Sequence, residues 1–270
     1  MAPALFSPDG DTFLPAAASR SPWSSETLHG GSVAALLARA VERCAPTDGR
    51  QVTRLTVELM RPVPVVPLQV KADVIRPGRK VQLVEASLWD SRAASSAAAE
   101  PPTMLARARA LLLRTTDTPV PEDARDSGPV VPGPEEGRET ASPRGDYEAL
   151  HNAGTEIRFV RGVFAEPGPA TVWIRLRQPV VASEQPSPLQ RVAAAADFGN
   201  GVSAILDFSQ WVFVNPDLTV YLNRLPVGEW VCLEARTEVE PHGIGMAHSR
   251  LHDELGPIGR SAQSLLLERL

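Results

Sequence analysis

The sequence predicts an α+β protein built from two tandem copies of one unit, each a long central helix wrapped by an antiparallel β-sheet. Each half of the chain has one apolar helical segment followed by a series of strand-like runs. The runs recur in the same order in the second half, roughly 160 residues further along the chain, as in a duplication. The segments LTVELMRP (55–62) and LTVYLNRLP (218–226) show the similarity most clearly. Burying an apolar helix against such strands favours a sheet that wraps around it.

Composition limits the class of protein further. The chain has 270 residues, of which 43% are hydrophobic and 22% charged, as in soluble globular proteins with one large domain or two small ones. Its net charge of -5 argues against nucleic acid, whose binding requires a concentrated basic face. The N-terminal segment lacks the pattern of a signal peptide, and no run approaches the ~18 apolar residues of a membrane span. We therefore expect a cytoplasmic protein with no nucleic acid partner and no membrane span.

Residues 1–114 are predicted to form the N-terminal unit. Its helix covers HGGSVAALLARAVERC, in which apolar residues recur at helical spacing, and Pro46 ends it. Residues 91–103, rich in Ala, Ser and Pro, are predicted to be a loose connection. Alternating apolar residues and intervening turn residues predict strands at 12–14, 51–60, 68–75 and 81–89. The run 104–114 could be a helix or a strand on its pattern alone, and its closeness to these strands favours a further strand.

Residues 115–150 are rich in proline and acidic residues and are predicted to be an exposed linker to the C-terminal unit, 151–270. The helix of that unit has Ser187 as its N-cap, Pro188 at its first position and Gln190 at its third, the pattern of a capping box. The glycines of Gly199-Asn200-Gly201 are predicted to end it. Predicted strands lie at 156–163, 170–176, 218–222, 230–239, 245–252 and 259–270.

Several segments, in their order and spacing, resemble the TesB-like acyl-CoA thioesterase family, the relatives of acyl-CoA thioesterase II. They are HGGSVAALLARAVE, LTVELMRPV, VWIRLRQPV, AAADFGNG, NPDLTVYLNRLPVGEW and AQSLLLER. The resemblance covers the chain outside 1–10 and 115–150 and implies a tandem (double) hotdog fold. It also implies a hydrolase of lipid metabolism that cleaves acyl-CoA with water, with no cofactor other than the coenzyme A of its substrate. Because exposed hotdog sheets commonly associate, we expect a homo-oligomer.

In that family an Asp, a Thr and a Gln of the second hotdog hold the water that attacks the thioester. The resemblance assigns the Asp to Asp197 and the Gln to Gln263. Asn215 stands at the position of the Thr, which is a departure from the family pattern. An Asn amide offers both an acceptor and donors to a water, so the expected catalytic set is Asp197, Asn215 and Gln263. Thr219 is a nearby hydroxyl that could compensate.

Each expected catalytic residue has a structural alternative. Asp197 could be a solvated acid at a helix end, paired with Arg191, and Gln263 could be an exposed strand residue. The first half is expected to keep only the scaffold, with Val52 and Arg109 at the positions of the two amide residues. We therefore expect the active site in the C-terminal unit.

Two further clusters are candidates for substrate binding. Backbone N–H groups at a helix start can polarise a carbonyl, although glycines there can also serve only close packing. The residues that open the first helix are His29, Gly30 and Gly31, and a separate alternative is that His29 acts as a catalytic base. A basic cluster at a predicted turn could meet the phosphates of coenzyme A, or be a solvated hairpin tip. Its members are Arg76, Arg79 and Lys80.

Other chemistries are less well supported. Nothing in the sequence brings His242, His248 and His252 together with a carboxylate, so no metal site is predicted. One competing function is a non-catalytic acyl-CoA- or lipid-binding hotdog protein, in which Asn215 marks a decayed site. The other is an enoyl-CoA hydratase-like hotdog, whose chemistry requires an Asp–His pair that only His29 is placed to complete.

Overall fold

The computed structural model describes residues 3–44, 49–92, 103–124, 128, 130–140, 146–164 and 166–270. Pro46, predicted to end the first helix, lies outside these residues, as does most of the predicted connection 91–103. Parts of the predicted linker 115–150 also lie outside them. Within the described ranges, no helix is long and apolar enough to cross a membrane.

The described residues form one large antiparallel sheet with three α-helices. The strands of the first half are β1 (Phe6–Asp9), β2 (Thr12–Pro15), β3 (Arg50–Leu59), β4 (Leu68–Arg76), β5 (Val81–Asp90) and β6 (Met104–Arg114). Those that follow are β7 (Arg138–Glu139), β8 (Thr155–Arg161), β9 (Ala170–Leu176), β10 (Trp211–Val214), β11 (Asp217–Leu222), β12 (Val231–Val239), β13 (Ile244–Asp253) and β14 (Gly256–Arg269). The helices are α1 (Gly30–Cys44), α2 (Pro188–Ala196) and α3 (Gly199–Ser203).

Every strand expected from the alternating pattern is confirmed to within a few residues. Three strands go beyond the prediction, namely β1, β7 and β10. β7 lies within the segment predicted to be a linker and pairs with β8 at one edge of the sheet. In the same segment Pro132 O accepts a hydrogen bond of 2.8 Å from Trp173 Nε1, so part of the predicted linker packs on the second half.

The two halves meet where β3 pairs with β11, at the centre of the strand order β1-β2-β4-β5-β6-β3-β11-β14-β13-β12-β9-β8-β7. Thr56 and Thr219 occupy equivalent positions in the repeated segments, and they lie directly opposite each other. Leu55 faces Val220 as Val57 faces Leu218, so the register is symmetric about the threonine pair. This local twofold relation is what a tandem duplication of one unit would produce.

The same register corrects one expected correspondence between the halves. Thr56 pairs with Arg109, while Thr219 pairs with Ala262. Arg109 therefore corresponds to Ala262, and the position of Gln263 is matched in the first half by the buried Ala110. The first half places a methyl group where the second half places the Gln263 amide.

The helix of the second half departs from the predicted single segment. α2 ends at Ala196, and Asp197 forms its C-cap with φ -70° and ψ -14°. The chain resumes helical structure as α3 at Gly199, where the sequence predicts the helix to stop. Within the described part of the chain, a long helix of 15 residues is present only as α1, whereas α2 spans 9 residues and α3 spans 5. The break leaves Asp197 between two helical segments.

The predicted cap of α2 is confirmed in part. Ser187 Oγ accepts a hydrogen bond of 3.1 Å from the Gln190 N–H. The Gln190 side chain, however, donates to Glu42 Oε2 of α1 at 3.2 Å instead of returning to the Ser187 backbone. Ser187 Oγ also donates to Glu42 Oε2, at 2.7 Å. The capping residues of α2 therefore also attach it to α1.

α1 and α2 pack against each other in one core cluster that extends through both halves. Gly31 permits their close approach, because a Cβ at this position would lie 2.5 Å from Ala194 O. α1 also contacts β4, β5 and β6, and α2 contacts β9 and β12. This packing brings the start of α1 next to the end of α2, where the candidate site lies.

Candidate active site

Asp197 is the centre of the site, and its carboxylate is buried with 4% of the side chain exposed. Its Oδ1 accepts hydrogen bonds from Asn215 Nδ2 at 2.7 Å and from Gln263 Nε2 at 3.0 Å. Its Oδ2 lies 2.9 Å from His29 Nδ1. Arg191, the alternative ion-pair partner, instead donates to Gly228 O at 3.0 Å. The structure therefore brings the three expected catalytic residues together and adds His29 to them.

Asn215 reaches Asp197 because the sheet is interrupted beside it. β14 pairs with β11 through its first part and with β10 through its last part. Asn215 and Pro216 lie between β10 and β11, and Pro216 has no N–H to continue a ladder. At this break, Asp217 Oδ1 accepts a hydrogen bond of 2.8 Å from the Ser264 N–H. The amide of Asn215 must present its nitrogen to the Asp197 carboxylate, since a carboxylate only accepts.

Gln263 holds Asp197 from inside the protein. Its Nε2 donates to Asp197 O at 3.1 Å as well as to Oδ1, and its side chain is buried. Its Oε1 faces Gly199, where a Cβ would lie only 2.9 Å away. Among the described residues that line the adjacent pocket, Gln263 is absent. Gln263 therefore holds Asp197 at the helix break through bonds to its backbone and its carboxylate.

His29 directly precedes α1, and its ring contacts Phe198 and the carboxylate of Asp197. Phe198, which follows Asp197, stacks on the ring with a centroid distance of 4.6 Å and an interplanar angle of 27°. The neighbouring Gly30 has no room for a side chain, because a Cβ would lie 2.6 Å from Asp197 Oδ2. Glycine at this position therefore permits the carboxylate to approach the start of α1.

Asp197, Asn215, His29 and Gly30 all line one pocket of about 550 Å³. Most of its remaining wall is apolar and comes from both halves of the chain. The larger of these side chains are Trp23, Leu28, Leu59, Phe164, Phe208 and Phe213. A buried carboxylate at the wall of an apolar pocket is the arrangement that acid–base chemistry on an apolar substrate requires. The site thus lies between the halves and not within the C-terminal unit alone.

Two predicted residues have other partners. The Gly31 N–H points at His29 Nδ1, 3.0 Å away, and a contact of this N–H with a substrate carbonyl stays a prediction. Thr219 Oγ1 donates to Thr56 Oγ1 at 3.2 Å across the β3–β11 pair, and Thr219 is not among the described residues that line the pocket. Gly31 thus serves helix packing, and Thr219 lies in the β3–β11 pair; compensation by its hydroxyl stays a prediction.

The predicted basic cluster lies at the end of β4 and in the turn between β4 and β5, where its members are exposed. They are Arg76, Arg79 and Lys80. None of the three is among the described pocket-lining residues. A contact with the phosphates of coenzyme A stays a prediction.

The pairing of His29 with Asp197 goes beyond the expected catalytic set. In the sequence, only the hydratase alternative links His29 to an Asp, and the thioesterase assignment keeps the His-Gly-Gly start of α1 and the acid at the end of the second helix as separate features. Their contact depends on the packing of α1 against α2, which no local pattern encodes. The signal that could have linked them is Gly30, since a glycine at the first helical position leaves space for a partner.

Comparison with protein families assigns the chain. Residues 19–112 match the model of the acyl-CoA thioesterase N-terminal domain, and residues 121–267 match that of the acyl-CoA thioesterase C-terminal domain. The chain belongs to the acyl-CoA thioesterase family, which confirms the resemblance seen in the sequence. No curated protein sequence matches the chain.

Solved structures share its fold at low sequence identity. A conserved protein of unknown function with a hot dog fold from Alicyclobacillus acidocaldarius is 19% identical, with a TM-score of 0.70 over 98% of this chain and 95% of its own. The tesB protein of Mycobacterium avium subspecies paratuberculosis is 14% identical, with a TM-score of 0.66 over 97% and 95%. The acyl-CoA thioesterase II TesB2 of Mycobacterium marinum is 14% identical, with a TM-score of 0.65 over 97% and 94%. The chain therefore has the hotdog fold.

Proposed function

We propose that the chain is a double-hotdog acyl-CoA thioesterase that hydrolyses an acyl-CoA to the free acid and coenzyme A. The hotdogs would be residues 1–114 and 151–270, and coenzyme A would enter only as part of the substrate. The observation that carries the proposal is Asp197, a buried carboxylate in an apolar pocket, held by amide donors from Asn215 and Gln263. Membership of the acyl-CoA thioesterase family supports the class of substrate.

The proposed reaction needs a base for water and an apolar space for the acyl chain. Water loses a proton to the site while its oxygen bonds to the thioester carbonyl carbon, and the carbonyl electrons move to oxygen. When the tetrahedral intermediate collapses, the C–S bond breaks and the thiolate takes up the proton. A buried base in an apolar pocket favours these reaction steps, because bulk water is excluded and does not compete for the proton that the base accepts.

The pocket also supports a second candidate, hydration of an enoyl-CoA. Its chemistry requires an Asp–His pair, and His29 Nδ1 lies 2.9 Å from Asp197 Oδ2. In that reaction water adds across the double bond beside the carbonyl, and the C–S bond stays intact. Release of thiol therefore separates the two candidates, because hydration releases none.

The test is thiol release from saturated acyl-CoAs of graded chain length, measured for the wild type and for Asp197→Ala. We expect turnover by the wild type and a loss of about 10³-fold or more in the variant, the scale of disrupting general base catalysis at the site. Absence of thiol release with every substrate would reject hydrolysis. With an enoyl-CoA as a parallel substrate, loss of enoyl absorbance without thiol release would select hydration, and calorimetric binding without either reaction would select a non-catalytic acyl-CoA-binding protein.

A further inference from the structure

The hydrogen bonds around His29 and Asp197 determine where a proton can lie. Asp197 Oδ1 already accepts from two amide groups, whereas the polar contact of Oδ2 within the described residues is His29 Nδ1. A buried carboxylate oxygen without a donor is costly. A donor on the imidazole would satisfy it, and a hydrogen bond to a charged oxygen is about twice as strong as one between neutral groups. The geometry therefore favours a proton on Nδ1, directed at Oδ2.

One contact competes with this arrangement. The Gly31 N–H also points at Nδ1, at 3.0 Å, and would prefer an unprotonated nitrogen. It is a neutral donor, whereas Asp197 is a carboxylate whose side chain is 4% exposed. The charged and buried partner outweighs the neutral one, so the proton remains between Nδ1 and Oδ2. A neutral imidazole with its proton on Nδ1 carries its lone pair on Nε2.

Nε2 of His29 is the nitrogen left for chemistry. His29 lines the pocket, and its Nε2 has no hydrogen-bond partner among the residues that the structure describes. The stacking of Phe198 fixes the plane of the ring, so rotation of Nε2 away from this position is restricted. An imidazole is the side chain best suited to exchange a proton near neutral pH.

We propose that His29 is the general base of this site and that Asp197 is a positioning residue that acts through it. The proposal rests on the proposed thioesterase function. Nε2 takes the proton from the attacking water as its oxygen bonds to the carbonyl carbon, and Asp197 stabilises the imidazolium that forms. Nε2 then returns the proton to the thiolate as the C–S bond breaks. Asn215 and Gln263 hold the carboxylate, which differs from the expectation that they and Asp197 bind the water directly.

The pH dependence of the reaction distinguishes a general base from a residue that only supports the structure. Loss of a purely structural role of His29 would lower activity without changing this pH dependence. The charged and titratable groups that line the same pocket within the described residues are His29, His151, Asp197 and Arg61. His151 is a matched control, because it is the same residue type in the same pocket and both histidines are 9% exposed. We expect kcat/KM of the wild type to fall on acidification, because a protonated His29 cannot accept a proton from water, and His151→Gln to keep this acidic limb.

His29→Ala should lower kcat/KM by about 10²- to 10⁴-fold, remove the acidic limb and regain activity when free imidazole is added. Activity within about threefold of the wild type, or an unchanged acidic limb, would overturn the assignment while leaving the thioesterase function intact. A wild type without thiol release would instead overturn the function itself. Should His29→Ala fail to fold, ¹⁵N NMR of the histidine-labelled wild type tests the proposal by showing which ring nitrogen of His29 carries the proton. A protonated Nδ1 on His29 supports the assignment, and a neutral ring protonated on Nε2 overturns it.

Discussion

His29 and Asp197 come from opposite halves of the chain, and their Nδ1 and Oδ2 atoms lie 2.9 Å apart. One precedes the first helix and the other ends the second, so the contact forms only when α1 packs against α2. The pocket beside them is also lined from both halves. Neither half alone contains both residues, and the two halves of the chain therefore supply different groups to this pocket.

Asn215 stands where the family resemblance places a threonine, and its amide donates to Asp197 Oδ1 at 2.7 Å. Asn215→Leu removes this donor and should lower kcat by about 10²-fold, the usual scale for one buried donor at a reacting charge. Asn215→Thr restores a hydroxyl donor and should stay within about tenfold of the wild type. Thiol-release kinetics measure both. Full activity of the leucine variant would show that Asp197 does not depend on Asn215.

Gly30 borders the carboxylate of Asp197 so closely that a Cβ would lie 2.6 Å from Oδ2. Gly30→Ala should therefore displace the carboxylate and lower both kcat and the melting temperature. In the background of Asp197→Ala the added methyl no longer meets an oxygen, and its effect on the melting temperature should largely disappear. A double-mutant cycle of thermal unfolding measures this coupling, expected at about 1 kcal/mol or more. Additive effects of the two substitutions would contradict the proposed contact.

Glu42 links α1 to the cap of α2 and should make the stability depend on pH. Burial raises its pKa above the ordinary value of 4.5, more than the hydrogen bonds from Ser187 and Gln190 lower it. A carboxyl group with a raised pKa stabilises the fold while it is protonated, below about pH 4.5, and this contribution is lost as the pH rises through the folded-state pKa. Glu42→Gln keeps an acceptor oxygen for both donors without the charge.

We therefore expect Glu42→Gln to melt at a higher temperature than the wild type near neutral pH. The difference should shrink as the pH falls toward about 4, where the wild-type carboxyl is itself protonated. Thermal unfolding followed by circular dichroism across this range measures it. Glu268→Gln, at the exposed end of β14, controls for the loss of one negative charge. A difference that grows on acidification would contradict the assigned direction of the Glu42 pKa.

Phe208 forms part of the apolar wall, with edge contacts to Trp23 and Phe213 at centroid distances of 5.4 Å each. If the acyl chain lies against this wall, Phe208→Ala should raise KM more for longer acyl chains than for acetyl-CoA. A buried methylene is worth about 0.8 kcal/mol, so the effect should grow by up to about fourfold for each methylene of the substrate that the ring would otherwise cover. Steady-state kinetics across the chain-length series measure it. An equal rise for all substrates would place the acyl chain elsewhere.

Much of the fold could be predicted because alternation and turn residues are local signals. The run 104–114 was open to a helical interpretation, yet its neighbours favoured β6, which the structure confirms. Two features of the site could not be predicted in this way. The helix break at Asp197 depends on the bonds from Gln263 to its backbone and side chain, and the position of Asn215 depends on the interruption between β10 and β11. Both arise from contacts between segments that are distant in sequence.

Family resemblance indicated Asp197 and Gln263, but it could not indicate which atoms face a substrate. Gln263 proves to be buried behind the carboxylate, while His29 lines the pocket. The roles of these side chains follow from the packing of α1, α2 and β14 and not from their residue types. A three-dimensional register was also needed to match Gln263 with Ala110 instead of Arg109.

In the proposed reaction, water at the Asp197 pocket attacks the carbonyl of an acyl-CoA. Turnover in H₂¹⁸O, followed by mass spectrometry of the products, tests it most directly. We predict that the wild type releases free acid carrying one ¹⁸O from solvent together with unlabelled coenzyme A, and that Asp197→Asn reduces labelled acid to nearly the uncatalysed level. Intact thioester carrying the label on its acyl chain, or no labelled acid above the uncatalysed level, would contradict the claim.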